Sequence, residues 1–485
     1  MSISVSKFRA TPVNAARCTG GSTPLLAFPV LTLAMASSPA LAADVASQGE
    51  GQASSRCGGE LMWEEKTAEP PGWACATDFG ILPLESSATS DQGPALRLAL
   101  AELEKRKQSL FLPRGTYRFE GDLVLPGGTG LIGSPTGKTR LQNVGVKTAK
   151  LTTDPEASPG VRIERLQLLD TRIVLNSTGE TTVRWNGIAG SKSKEAQITV
   201  VSGSHTIEGN VLWRARGEPG FGIDVGRIKD IGHHAADLPA SASKVLIAGN
   251  FIGAAHPSRN DHPHRGSRPG QPSLLTMFNA MLDGDPEAYM DEGHYLAALR
   301  THAPVSTEIV DNLVVLNAPD ADRDAFAQRR AAGTFSSARH LKFINNTVLA
   351  EGFAGDQRPP LRLRSPSDVE VHSNVLDQVP LILDRDPRQA SLTKRTSIWD
   401  NWIGNAFLSI RVPVNGSGND QTGPGDVEVL ANSFIDPDRC PIRLHPPEAG
   451  TSNYKLVSNR AHGKSGSTRD PEPCTRAPHP GSGLL

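Results

Sequence analysis

Aromatic residues are scarce, at 5% of the 485 positions, which argues against a compact globule built around bulky rings. Net charge is nearly absent too, since 50 Lys and Arg against 51 Asp and Glu leave −1. No global field therefore draws in nucleic acid or an anionic membrane, and neither is expected as a partner. Cysteine is sparse, and no two of the five stand in a CxxC pair, so a zinc site of the usual spacing is not supported. The one apolar run near the amino end, Pro24 to Met35, is broken by Pro29 and falls short of the roughly 20 residues a membrane span needs.

That run has instead the layout of a secretion signal. Lys7, Arg9 and Arg17 precede it and the small-residue site Ala40-Leu41-Ala42 follows, which places the mature start near Ala43 and the protein in the periplasm or outside the cell. Loss of Cys18 with the leader leaves Cys57, Cys75, Cys440 and Cys474. Four cysteines allow three connectivities. Nearness along the chain favours Cys57 with Cys75 and Cys440 with Cys474, disulfides that suit an oxidising compartment.

Turn residues, by contrast, are plentiful, with 47 Gly and 37 Pro. Between them one phrase recurs: an alternating aliphatic strand, then Asn, then a second short aliphatic strand. Its asparagines are Asn186, Asn210, Asn250, Asn312, Asn346, Asn374, Asn401, Asn432 and Asn459, and the last five are spaced by 28, 27, 31 and 27 residues. A period of that size is one coil of a solenoid. A single coil cannot bury its apolar face, but stacked coils share a column of Val, Ile and Leu. The asparagines are expected at tight corners, in the left-handed conformation, with their amides forming an internal hydrogen-bonded ladder.

This phrase resembles the repeat of the pectate lyase-like right-handed β-helix superfamily. Upstream, Ser90 to Glu104 reads as an amphipathic helix and Leu110-Phe-Leu-Pro-Arg-Gly-Thr-Tyr-Arg-Phe119 as a strand. The pair is similar to the capping helix and first strand of that superfamily, although the usual Gly-Asp-Gly-x-x-Asp-Asp lead is missing. The expected fold is all-β, a single-stranded right-handed parallel β-helix. Its organisation would be a signal at 1–42, a loop-rich segment at 43–89, the cap helix and β-helix at 90–462, and an irregular tail at 463–485.

The resemblance implies that the first strand of each coil forms the floor of a sugar cleft. Carried onto this chain, first strands fall at Tyr295–His302, Pro360–Arg364, Pro380–Arg385, Leu408–Val412 and Pro441–His445. Alternate residues share a face, so Arg300, His302, Arg362, Arg364, Asp384, Ser409, Arg411, Arg443 and His445 should point outward. Coils about 4.8 Å apart would then align these arginines as a cationic stripe suited to carboxylates or sulfates. Few outward aromatics are expected to stack neutral sugars. The long insertion between Asn250 and Asn312 carries His264 and Arg265 and should form one cleft wall.

These features point to an acidic polysaccharide as partner and to cleavage of a uronate polymer by β-elimination. Arg364 and Arg411 would hold substrate carboxylates, His302 or His264 would transfer protons, and Arg300 suits either role. Arg362, Asp384, Arg443, His445 and Arg265 would complete the binding surface. An epimerase uses nearly the same parts, a glycoside hydrolase needs paired acids, and a non-catalytic binding or surface protein needs only the stripe. Asp261-His-Pro-His264 departs in order from the Asp-Pro-His-Asp motif of mannuronan epimerases. No metal ligands are assigned. Calcium bridging protein and uronate, with Asp320, Asp322 and Asp324 nearby, is the one cofactor alternative. A monomer is expected.

Overall fold

In-register stacking of short strands builds the whole described molecule. The computed structural model describes Cys57 and the coils between Gly72 and Thr475. It leaves out 1–56, 58–71, 85–89, 135–137, 158–159, 191–194, 214–219, 227–243, 254–294, 302–305, 318–330, 337–339, 354–357, 365–367, 385–395, 412–426, 437–439, 445–453, 464–467, 470–473 and 476–485. The strands form three sheets of 12, 13 and 13 members, and each coil contributes one strand to each sheet in turn. In the coil around Asn374, the first sheet receives Leu361–Arg364, the second Val369–His372 and the third Val375–Asp377. Pairing is parallel except at the final pair of the third sheet, Arg460–His462 with Thr468–Arg469. The chain is a right-handed parallel β-helix.

The expected helix is present as Gly93–Arg106. Pro94 sits in its first turn, where a missing N–H costs nothing, and Leu96, Ala99, Leu100 and Leu103 form its buried stripe. That stripe belongs to the same core as Leu110, Leu123 and Leu131. The segment after the helix differs from expectation. Leu110 to Phe119 is not one strand but two, Ser109–Leu112 in the second sheet and Gly115–Phe119 in the third. Pro113 cannot continue a ladder. Gly115 turns the corner at φ 138°, and a Cβ there would lie 2.4 Å from the Pro83 side chain.

Inside, each position of a strand lies directly beneath its equivalent in the next coil. Leu361, Leu381 and Leu408 form one such column and Leu363, Leu383 and Ile410 another, all buried. Ring volume is confined to a few places, such as Phe335 against Phe343 at 5.8 Å. A separate apolar group, Val211, Trp213, Phe251 and Val315, is buried on the outward face of the third sheet. Cys57 and Cys75 are bridged, with Cα atoms 5.9 Å apart. Cys440 is disulfide-bonded as well; the side chain of Cys474, its expected partner, lies outside the described residues.

The asparagine ladder is continuous through all nine anchors. Each side-chain amide from Asn186 to Asn432 donates to the side-chain oxygen of the next asparagine, at 2.9–3.1 Å. Asn346 also donates to the carbonyls of Ile309 at 2.9 Å and Ile344 at 3.0 Å, and its own oxygen accepts from the backbone N–H of Asn312 at 3.0 Å. The left-handed residue, however, is the one before each asparagine. Asp311, Asn345, Ser373, Asp400, Ala431 and Ser458 have φ between 54° and 58°. Their turn points the following asparagine inward, where its amide satisfies backbone groups that the corner removes from the sheet ladders.

His205 is also walled in. It is 1% exposed, a ring nitrogen bonds the Ser202 carbonyl, and burial pushes its pKa from 6.5 down to about 4.

Substitutions at the corner separate these contributions. Asn346→Ala strips partners from several buried groups and should cost about 3–5 kcal/mol, read as a lower denaturation midpoint. Ala431→Gly relieves a left-handed alanine and should be neutral or stabilising by up to about 1 kcal/mol. Separately, unfolded His205 binds a proton near pH 6.5 whereas the folded form resists it until about pH 4. Stability from this group is therefore complete above pH 6.5 and declines as pH falls through that window, by about 3 kcal/mol in all. Comparing melting temperatures at neutral and acid pH, the wild type should lose more than His205→Gln does.

Candidate functional site

The strands expected to form the floor are those of the first sheet, now bounded as Tyr295–Thr301, Leu361–Arg364, Leu381–Asp384, Leu408–Ile410 and Ile442–Leu444. Alternation sets their outward residues as expected: Arg362, Arg364, Asp384 and Arg443 are partly exposed and Arg411 is exposed, while the intervening leucines and isoleucines line the core. His264, Arg265, His302 and His445 lie outside the described residues, as do Asp320, Asp322 and Asp324.

Vertical order corrects the picture of an unbroken arginine stripe. One outward column reads Asp224, Arg300, Thr334, Arg362, Ile382, Ser409, Arg443. Thr334 separates Arg300 from Arg362, placing their backbones two coils, about 10 Å, apart. Ile382 and Ser409 separate Arg362 from Arg443. The neighbouring column reads Ser336, Arg364, Asp384, and Arg411 extends it, its Nε 3.9 Å from Asp384. The strand Ala331–Ser336, which supplies Thr334 and Ser336, is a floor strand that the carried-over register does not include. Its inward positions beneath Leu361 and Leu363 hold Gly333 and Phe335 rather than Leu or Ile.

The arginines fall into two electrostatic classes. Arg300 is committed: its Nε donates to Asp224 at 2.9 Å, its terminal nitrogen makes a second bond to the same carboxylate, and its guanidinium lies 3.5 Å from the Phe221 ring centre. Asp224 is fully buried and the Arg300 side chain is 19% exposed, so this is a desolvated bidentate pair. Arg362 is the opposite case. It is half-buried, its Nε has no hydrogen-bond partner, and among the described residues it forms no ion pair. Burial first, then repulsion from Arg364 and Arg411, lowers its pKa, with Asp384 opposing. Three guanidinium groups thus gather around one carboxylate.

Aromatics are better represented outside the core than expected. Phe407 lies 3.4 Å beneath the Arg443 guanidinium as Phe221 lies beneath Arg300, so rings on this face support cations rather than present open platforms. On the second sheet His372 and Trp399 stack at 4.1 Å. No group of three or more His, Cys, Asp or Glu side chains comes together among the described residues. No helix there is long and apolar enough to cross a membrane.

The three-sheet coil and its asparagine ladder are those of a right-handed parallel β-helix. No family model matches the sequence and no curated protein does. Solved structures do. An α-1,3-glucanase catalytic unit from Streptomyces thermodiastaticus is 12% identical over 81% of this chain and 69% of its own, with a TM-score of 0.45. A tailspike protein of an E. coli bacteriophage, in complex with a pentasaccharide, is 11% identical over 83% and 64%, at 0.40. The A-module of a mannuronan C-5 epimerase from Azotobacter vinelandii is 13% identical over 80% and 98%, at 0.37. Such identities carry no residue-by-residue correspondence.

The Arg300–Asp224 pair gives a stability prediction. Arg300→Met should destabilise the protein by about 3 kcal/mol, because it strips the bidentate partner from a buried carboxylate. Asp224→Asn in that background should recover part of the loss, measured by denaturant unfolding of both variants.

Proposed function

We propose that the protein is an exported, carbohydrate-active protein that binds an acidic, uronate-bearing polysaccharide along the outward face of the first sheet and cleaves it by β-elimination. One observation carries the reading: Arg362, half-buried and without a counter-ion among the described residues, stands beside Arg364 and Arg411 with only Asp384 to offset them. A desolvated cation in surplus is unfavourable for folding alone and favourable once an anion arrives. The leader, together with the Cys57–Cys75 disulfide, supports export.

In β-elimination a base removes the proton beside the uronate carboxylate. The freed electron pair forms a carbon–carbon double bond, and the glycosidic oxygen on the next carbon departs and takes up a proton. Negative charge grows on the carboxylate during proton removal, and guanidinium groups in bidentate contact stabilise it. Arg362, Arg364 and Arg411 fill that role; Arg300, held by Asp224, positions the floor rather than the substrate. His302, directly after the strand that carries Arg300, and His264 in the long insertion remain the candidates for proton transfer.

Hydrolysis fits less well. It needs two carboxyl groups about 5–9.5 Å apart across the scissile bond. The two acids of the described floor, Asp224 and Asp384, are four coils apart through the pairings that link their strands, or roughly 19 Å.

The reading is tested by incubating the protein with alginate, polygalacturonate and glycosaminoglycans. A lyase generates an unsaturated, ultraviolet-absorbing end with each cut, and Arg362→Ala or Arg364→Ala should lower that rate by about a hundredfold. New reducing ends without absorbance would mean hydrolysis. Solvent deuterium entering an uncut polymer would mean epimerisation. Salt-sensitive binding with neither would leave a passive binder. Full binding and turnover in both variants would remove the cleft.

A further inference from the structure

The outward face of the second sheet carries two parallel ladders that share a centre. The first reads Glu308, Lys342, Glu370, Ser397, Glu428, Lys455, each stacked on the next in register. Alongside it, in the same strands, runs Val310, Ile344, His372, Trp399, Leu430, Val457. These six side chains are partly or well exposed, Val457 the most at 45%. Below Glu308 and Val310 the same columns continue with Leu246 and Ala248; within the six terminal coils, the His372–Trp399 stack lies at the middle of both ladders.

Both ladders are complementary to their own reversal. Reversed, the charged one sets Lys455 against Glu308, Glu428 against Lys342 and Ser397 against Glu370, so opposite charges meet at four of six levels and like charges at none. The apolar one sets Val457 against Val310, Leu430 against Ile344 and Trp399 against His372, aliphatic to aliphatic and ring to ring. A two-fold axis lying in the plane of the interface, along the strands, performs this reversal. It brings two such faces together, keeps each ladder opposite itself and inverts its order, which is the requirement for an isologous contact.

We propose that this face is the contact between two copies of the chain, joined with their solenoid axes antiparallel and His372–Trp399 at the two-fold. The strip is about 24 Å tall by roughly 13 Å wide, less than the ~800 Å² per partner of a standard interface. The dimer is therefore concentration-dependent rather than permanent. Within one copy the charges already pair at 3.1–3.6 Å, Glu308 with Lys244 and Lys342 and Glu428 with Lys455. They supply register and orientation, and the central rings supply most of the affinity. This departs from the monomer expected from sequence and involves a different face from the arginine cluster.

Sedimentation velocity on the full chain across a wide concentration range tests it. The wild type should shift from monomer toward twice that mass. Lys342→Glu and Glu428→Lys should each associate about tenfold more weakly, since two symmetry-related attractions become repulsions. An equimolar mixture of the two variants should regain wild-type association. In the mixed pair the carboxylate introduced in one chain faces the ammonium introduced in the other, and the two unaltered groups face each other with opposite charge as well. Intrachain effects of either change persist in the mixture, so recovery would report the contact itself. Trp399→Ala should weaken association without altering charge. A wild type that stays monomeric at every concentration would overturn the proposal. So would a mixture no better than either variant alone while both melt near the wild-type temperature.

Discussion

Register is the constraint on which everything else rests. A coil of about thirty residues can slide along its neighbour only if the asparagine corner gives up its bonds. Each asparagine oxygen from Asn210 to Asn459 holds two donors from the coil before, and each amide from Asn186 to Asn432 reaches both the next asparagine and a carbonyl of an earlier coil. These groups are buried, so slippage leaves them without water or partner, a cost of the order of 1–3 kcal/mol for each. A slip of one residue would also turn every leucine column outward. The ladder fixes vertical order, and vertical order decides which outward side chains meet.

Two outward faces show what that order does with charge in a chain whose total is close to zero. On the second sheet Lys and Glu alternate and neutralise one another within a coil step or two. On the first sheet Arg300 is neutralised by the buried Asp224, while Arg362, Arg364 and Arg411 share Asp384. A polar group denied its partner is more often found where a ligand supplies one than where folding alone set the choice. The absence of a global field therefore says nothing against a strongly cationic locality.

Much of this is legible in the sequence, and the parts that are not have physical causes. The solenoid is readable because its corner residue is the same in the nine coils from Asn186 to Asn459 and evenly spaced from Asn346 onward. The inward and outward faces of Leu361–Arg364 are readable because Leu361 and Leu363 alternate with Arg362 and Arg364, whereas Ile382 between Leu381 and Leu383 masks the same alternation in the next coil. Counting coils is harder. Ala331–Ser336 has Gly333 and a single large residue, Phe335, where the next floor strand has two leucines, and without it Arg300 falls next to Arg362, with Thr334 missing from between them. The left-handed turn lies one residue earlier than the asparagine, at a position that varies among Trp, Asp, Asn, Ser, Ala and Gly and so leaves no pattern. His264, His302 and His445 fall between the repeated strands in the sequence and outside the described residues.

The consequence for function is that chemistry on this scaffold is written across coils rather than along the chain. Arg362 and Arg411 are far apart in sequence yet within electrostatic reach, because the strand bearing Asp384 is stacked between theirs. Removing one coil from between them would leave the local sequence around each arginine intact and still destroy the cluster. Adding one, as Ala331–Ser336 does between Arg300 and Arg362, isolates an arginine that linear order would join to the rest. The unit that specifies this site is thus the stack, and a substitution at the corner that loosens register reaches the arginines without touching them.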